Sequence, residues 1–182
     1  MTNAIDDKKK WTTMKTYTII GGADGTGKTS LLGVLRTTRH DLGRVLFDES
    51  GAEECLAAGV CFTQETTLSG HRPAVMARRA ADAGYRVRLY YVGLDTVEEC
   101  LARIRNRVAR GGHGIPEEDV RRRFAGRFAA LAAVLPYCTE ATFYDNSNGF
   151  RAVAEYRNGE VLAIGSFSPA WLDELRRYLA EQ

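Results

Sequence analysis

The chain has 182 residues, of which 45% are hydrophobic and 26% charged, with a formal net charge of +2. This size and composition fit one soluble globular domain with a substantial core, and so small a net charge means that any basic function must come from clustering rather than bulk charge. The apolar runs are too short to span a bilayer and the leader has no apolar h-region, so neither a membrane segment nor a signal peptide is expected.

The first element is polar and aperiodic: residues 1–14 read as a flexible leader, and Met14 as an alternative start. Apolar runs then alternate with amphipathic stretches. Strands are predicted at Tyr17–Ile20, Arg44–Phe47, Val60–Thr63, Val87–Val92 and Ala141–Tyr144. Helices are predicted at Lys28–Thr38, Glu53–Ala58, Pro73–Ala83, Thr96–Ala109 and Pro116–Ala133. Continuous apolar strands alternating with helices indicate an α/β fold, a parallel sheet covered on both faces. The Asn158-Gly159 pair between two apolar runs predicts a C-terminal hairpin, and Ser168-Pro169 opens a final helix. Residues 15–182 read as one domain. The four cysteines (Cys55, Cys61, Cys100, Cys138) have no metal or CxxC spacing, which predicts reduced thiols in a cytoplasmic protein.

Between the first strand and the first helix, Gly22 to Thr29 spell G-x-x-x-x-G-K-T. In that context the pattern is a phosphate-binding P-loop, a strong signal. Its glycines let successive backbone N–H groups converge on phosphate oxygens at a helix N-terminus. The chain uses twenty arginines and five lysines, and Lys28 is the only lysine after Lys15. A compact ammonium fits where a planar guanidinium does not, which explains the exception. Gly22, Ala23, Asp24, Gly25, Thr26, Gly27, Lys28, Thr29 and Ser30 are therefore expected to hold ATP, with Thr29 a ligand of Mg2+. Asp24, an acid in an anion-binding loop, is expected to point outward.

The absence of an Asn-Lys-x-Asp segment weakens a GTPase reading, and the chain is too short for an ABC ATPase. A compact kinase remains, needing an acceptor base and a cationic lid. Asp48, Glu65, Asp95 and Asp145 lie at or near strand ends, where ligands of open α/β sheets bind. Asp95 reads as a helix cap with Glu98 three residues on. Asp48 is the best base, and Glu65 leads into a hydroxyl-rich loop suited to an acceptor or a metal-bound water. Residues 107–123, "RVARGGHGIPEEDVRRR", read as a glycine-hinged lid whose arginines grip phosphates, open in the free protein.

"GGADGTGKTS", "LFDES", "FTQETTLSG", "RVARGGHGIPEEDVRRRF" and "YDNS" together resemble the zeta-toxin-like P-loop kinases, in their compact branch. The resemblance implies the P-loop NTPase fold with a five-stranded parallel sheet in the nucleotide-kinase arrangement. It also implies transfer of the ATP γ-phosphoryl to a sugar hydroxyl, which in the best-known zeta toxins belongs to UDP-N-acetylglucosamine. By position it makes Lys28 catalytic and Asp48 the general base, and brings Glu65 and Thr67 to the acceptor. Arg110 and Arg122 would close over the phosphates. Ser69 stands where the larger toxins carry arginine, and His71 and Arg72 follow Gly70 where compact relatives place a basic residue. Ser69 and Arg72 are accordingly expected at the acceptor. The implied partners are a small-molecule acceptor and an antitoxin protein. A nucleotide-binding regulator and a nucleic-acid-end kinase are the alternative readings.

Overall fold

The computed structural model describes residues 14–48 and 50–182, so the expected leader, Met14 apart, lies outside the described residues. Seven strands form one sheet: β1 (Thr16–Gly21), β2 (Arg44–Leu46), β3 (Phe62–Thr66), β4 (Arg86–Gly93), β5 (Glu140–Asp145), β6 (Arg151–Arg157) and β7 (Glu160–Ala163). Their order is β2-β3-β1-β4-β5-β6-β7. The first five are parallel, and β6 and β7 extend the sheet as an antiparallel hairpin. Asn158 and Gly159, both at positive φ, make its turn. The parallel core and the hairpin thus stand as expected, joined into one sheet.

The helices are α1 (Lys28–Thr38), α2 (Ala52–Ala58), α3 (Arg72–Asp82), α4 (Val97–Ala109), α5 (Glu117–Ala125), α6 (Arg127–Val134) and α7 (Ala170–Ala180). Every residue of β1 is buried, because both faces of the central strands are covered. Alternate residues serve the two faces. Tyr17, Ile19, Leu89 and Tyr91 join the larger core with Phe62, Phe143 and Trp171, while Ile20, Tyr90 and Val92 pack on Leu31, Leu32 and Leu35 of α1. A third cluster lies beneath the phosphate loop, where Ala23 meets Cys100 and Ile104 of α4 and Val120 and Phe124 of α5.

Most boundaries lie within a residue of expectation, and three departures have a local reason. The single helix expected over Pro116–Ala133 is two, divided at Gly126. The third strand runs two to three residues later than expected, because half-exposed Val60 closes α2 by donating to the Cys55 carbonyl. Its true end carries Glu65 within the ladder, opposite Ile20. Finally, α4 is opened by a capping box of Thr96 and Glu99 rather than by Asp95 and Glu98. Asp95 instead accepts from the Trp171 N–H at 2.9 Å, and Asp145 accepts from the Trp171 indole at 2.9 Å. These two strand-end acids therefore hold α7 in place. Ser168, expected to cap that helix, donates to Asp173 instead. All four cysteines are free. Among the described residues no helix is long and apolar enough to cross a membrane.

Candidate functional site: a phosphate cradle beside a larger pocket

The loop from Gly22 to Gly27 leaves β1 and delivers the chain to α1. Gly22, Gly25 and Gly27 have φ of 149°, 79° and 103°, values that L side chains rarely adopt. A Cβ at Gly22 would stand 2.5 Å from the Val92 carbonyl, and one at Gly27 the same distance from Asn146 Nδ2. The cap residue of α1 is Gly27 itself, with no side-chain cap and no acid in the first turn. The opening N–H groups of α1 are thus left for an anion.

Lys28 is 8% exposed and its ammonium donates to the Ala23 carbonyl at 2.9 Å. Burial pushes its pKa below the ordinary lysine value, against the opposing pull of Asp24 and Glu65. An ammonium so desolvated gains most from a phosphate set beside it. The Thr29 hydroxyl donates to both oxygens of Glu65, at 2.9 and 3.0 Å. Two oxygen ligands side by side suit Mg2+, which is commonly held by one or two protein oxygens together with phosphate oxygens and water. Among the described residues, no cluster of three His, Cys, Asp or Glu offers a metal cage. The cradle therefore fits a nucleotide polyphosphate with Mg2+. Glu65, expected at the acceptor, lies against Thr29 on the cradle side.

A cavity of about 290 Å3 opens over the cradle, lined by Lys28, Thr29, Ser30, Glu65, Arg103, Arg107 and Asn146 among others. The arginines that face it are Arg103 and Arg107, one turn apart on α4. Arg103 donates to the Asn146 carbonyl at 2.5 Å, and Arg107 to the His113 carbonyl at 3.1 Å. Arg110 lines an adjoining cavity with Arg103, Asn106 and Arg107. Arg122 lines neither: it is exposed and paired with Asp119. Arg121 is likewise engaged, with Glu98 and Glu117.

The expected lid is thus of two kinds. Residues 110–116 are a loop, exposed except at Gly112 and at Ile115, which rests on the third cluster, whereas α5 is docked through Val120 and Phe124. Limited trypsin digestion should make its first cut within residues 14–182 after Arg107 or Arg110, and a non-hydrolysable ATP analogue with Mg2+ should slow that cut. First cleavage after Arg121, Arg122 or Arg123 would show that α5 undocks.

Across β3 lies a second pocket of about 840 Å3, lined by Asp48, Ser50, Glu53, Gln64, His71, Arg72 and the apolar Ala52, Pro73, Val75 and Met76. Gln64 faces this pocket and its neighbour Glu65 the cradle, so the end of one strand divides the two. Asp48 is fully exposed. Its Oδ1 accepts from the Ser50 hydroxyl at 2.6 Å and the Ser50 N–H at 2.9 Å. Those bonds, the hydroxyl's first, hold its carboxyl below the usual aspartate value. Thr67 and Ser69 are half-buried in the loop after β3. Between them Leu68 is buried at a φ of 63°, its N–H taken by the Thr66 hydroxyl at 3.0 Å. A bulky residue held there is backbone strain, taken up where Leu68 packs into the larger core.

Asn146 is the participant that residue-by-residue reading missed. Its amide donates to the Thr26 carbonyl at 2.8 Å, tying the end of β5 to the phosphate loop. The motif "YDNS" carries it, but only the fold reveals a partner 120 residues away.

Asp24 does not reach solvent. It is 7% exposed and accepts from Arg123 of α5 at 3.1 Å. Its side chain meets Arg123 rather than solvent, and its charge still acts on the Lys28 ammonium.

No family model matches the chain. An uncharacterized protein of Haemophilus influenzae is 43% identical over 63 residues, which are 35% of this chain and 45% of that protein. The match therefore spans less than half of that relative's length. Among solved structures, a chain of the AvrRxo1-ORF1:-ORF2 complex superposes with a TM-score of 0.60 at 17% identity, covering 94% of this chain and 66% of that one. The same complex solved with ATP gives 0.51 at 17% identity, with the same coverages. A chain from the PezAT chromosomal toxin-antitoxin system of Streptococcus pneumoniae gives 0.58 at 14% identity, covering 92% of this chain and 85% of that one. The chain has the P-loop kinase-like fold that it shares with these proteins, the fold implied by its resemblance to the zeta-toxin-like kinases.

Proposed function

We propose that this protein is an ATP-dependent phosphotransferase that moves the γ-phosphoryl group of ATP to a hydroxyl of a small molecule. The observation that carries this reading is the pair of pockets flanking the end of β3, one lined by the P-loop, the other by Asp48. A simple nucleotide switch needs only the first.

Bound ATP and Mg2+ supply the transferable phosphoryl group and neutralise part of its charge. Lys28 and the first N–H groups of α1 hold the phosphates, and Thr29 with Glu65 provides oxygens for the cation. Arg103 and Arg107 offer planar forks to the charge that develops during transfer. Arg110 sits one cavity farther out and is placed to join them on closure of the 110–116 loop. Asp48 accepts the proton of the acceptor hydroxyl, and Gln64, His71 and Arg72 orient the acceptor by hydrogen bonds. Ala52, Pro73, Val75 and Met76 give it an apolar wall. A pocket of this size suits a small molecule, and its mix of polar rim and apolar wall supports a sugar or nucleotide sugar as acceptor.

The solved relatives are a toxin-antitoxin system and a two-protein complex. That is the support for a toxin role with an antitoxin protein as partner. The test is ADP release measured with a desalted metabolite extract and, separately, with RNA. Stimulation by the extract alone is expected. Stimulation by RNA alone would assign a nucleic-acid acceptor, and none by either would leave a nucleotide-binding regulator.

A further inference from the structure

Asp24 places a carboxylate inside a loop built to gather negative charge. Nothing in the P-loop pattern requires an acid at that position. Its side chain is 8% exposed, and that of Arg123, whose guanidinium meets it at 3.1 Å, is 31% exposed. Arg123 differs from its neighbours on α5. Arg121 and Arg122 pair with acids on the protein surface, whereas Arg123 alone of the three reaches the phosphate loop. The contact is also held from below. Ala23, next to Asp24, packs in one apolar cluster with Val120 and Phe124, three residues before and one after Arg123.

We propose that Arg123 is a positioning residue for the nucleotide: it masks the charge of Asp24, so that the phosphates of ATP meet a cradle of net positive sign. Without that mask the cradle's cations, Lys28, Arg103 and Arg107, would face two carboxylates, Asp24 and Glu65. Glu65 is used by Thr29 and a cation. Asp24 has no such use, and unmasked it would repel phosphate through a loop of low dielectric. The mask also makes the docking of α5 a condition of nucleotide affinity, since a helix that moves away takes the counter-charge with it. Arg123 acts through Asp24 and does not line the cavity over the cradle.

This inference rests on the ATP reading, so its test separates the two. The equilibrium affinities of ATP with Mg2+ and of inorganic tripolyphosphate are measured by calorimetry for the wild type, R123Q, D24N and D24N/R123Q. R123Q leaves a buried carboxylate uncompensated and should weaken ATP by tenfold or more. D24N should bind at least as tightly as wild type. The double variant, with a neutral pair of nearly the same shape, should bind within about threefold of wild type. A merely structural contact would predict otherwise: the double variant would be as weak as R123Q, and D24N weakened too. Either of those results overturns the mask, as does an unchanged R123Q. If R123Q fails to fold, the double variant and D24N still decide, since neither leaves a buried unpaired acid. Wild type that binds tripolyphosphate but not ATP would overturn the ATP reading and leave the mask to the same four-protein comparison. Wild type that binds neither would overturn both.

Discussion

Lys28→Ala should abolish phosphoryl transfer while leaving the fold intact. The ammonium lies almost fully inside the phosphate loop, its pKa lowered by burial, with the Ala23 carbonyl as its hydrogen-bond acceptor. A charge kept at that desolvation cost has its compensation elsewhere, in the phosphates it meets. Its removal deletes a preorganised cation from the transferring group, a loss of about 10³-fold or more in turnover. The melting temperature should not fall, because the desolvation cost of the buried ammonium outweighs the pull of Asp24 and Glu65 in the free protein. Lys28→Arg should also be poorly active. A planar fork cannot take the place of a compact ammonium that is held almost fully buried against the Ala23 carbonyl inside the loop. An arginine variant with wild-type turnover would show that charge alone, not shape, is what the cradle asks of Lys28.

Asp48→Asn keeps shape and removes basicity, so turnover should fall by about 10² to 10⁴, the usual worth of a positioned base. Affinity for ATP should barely change, because Asp48 lines the pocket on the far side of β3 from Lys28 and Thr29. The pH dependence follows from the Ser50 contacts. A base works deprotonated, and the Ser50 hydroxyl and N–H favour the ionised carboxylate. The acid limb of the rate should therefore lie below the ordinary aspartate range and leave the rate flat through neutrality. Ser50→Ala, which removes the shorter of the two bonds, should shift that limb upward. If nucleotide affinity collapses with turnover in Asp48→Asn, Asp48 serves the metal or the fold, and Glu65 becomes the base.

The parts of the molecule that were legible in the sequence are those governed by local chemistry. The glycines of the P-loop need positive φ whatever surrounds them, and the apolar strands read directly as buried in a covered parallel sheet. The hairpin turn at Asn158-Gly159 is legible for the same reason. What was not legible depends on rotation and distance. Arg103, Arg107, Arg110 and Arg122 look alike in sequence. Only the packing of Cys100, Leu101 and Ile104 against the core decides that Arg103 and Arg107 turn toward the cradle. The 3.6-residue period of those buried positions was the available signal. Strand register hid the place of Glu65: a shift of one residue along a strand exchanges its two faces, and it is Gln64 rather than Glu65 that lines the pocket beside Asp48. Asp24, Asp95 and Asn146 each bond a residue far along the chain, Arg123, Trp171 and Thr26, and no local pattern announces such partners.

Mass spectrometry of a metabolite extract incubated with the protein, Mg2+ and ATP carrying heavy oxygen in its γ-phosphoryl group would test the phosphotransferase assignment most directly. The predicted result is a small molecule that gains one labelled phosphoryl group on a hydroxyl, formed by the wild type and lost in Asp48→Asn. ATP bound but unconsumed, or converted only to ADP and labelled inorganic phosphate at the same rate by both proteins, would contradict it.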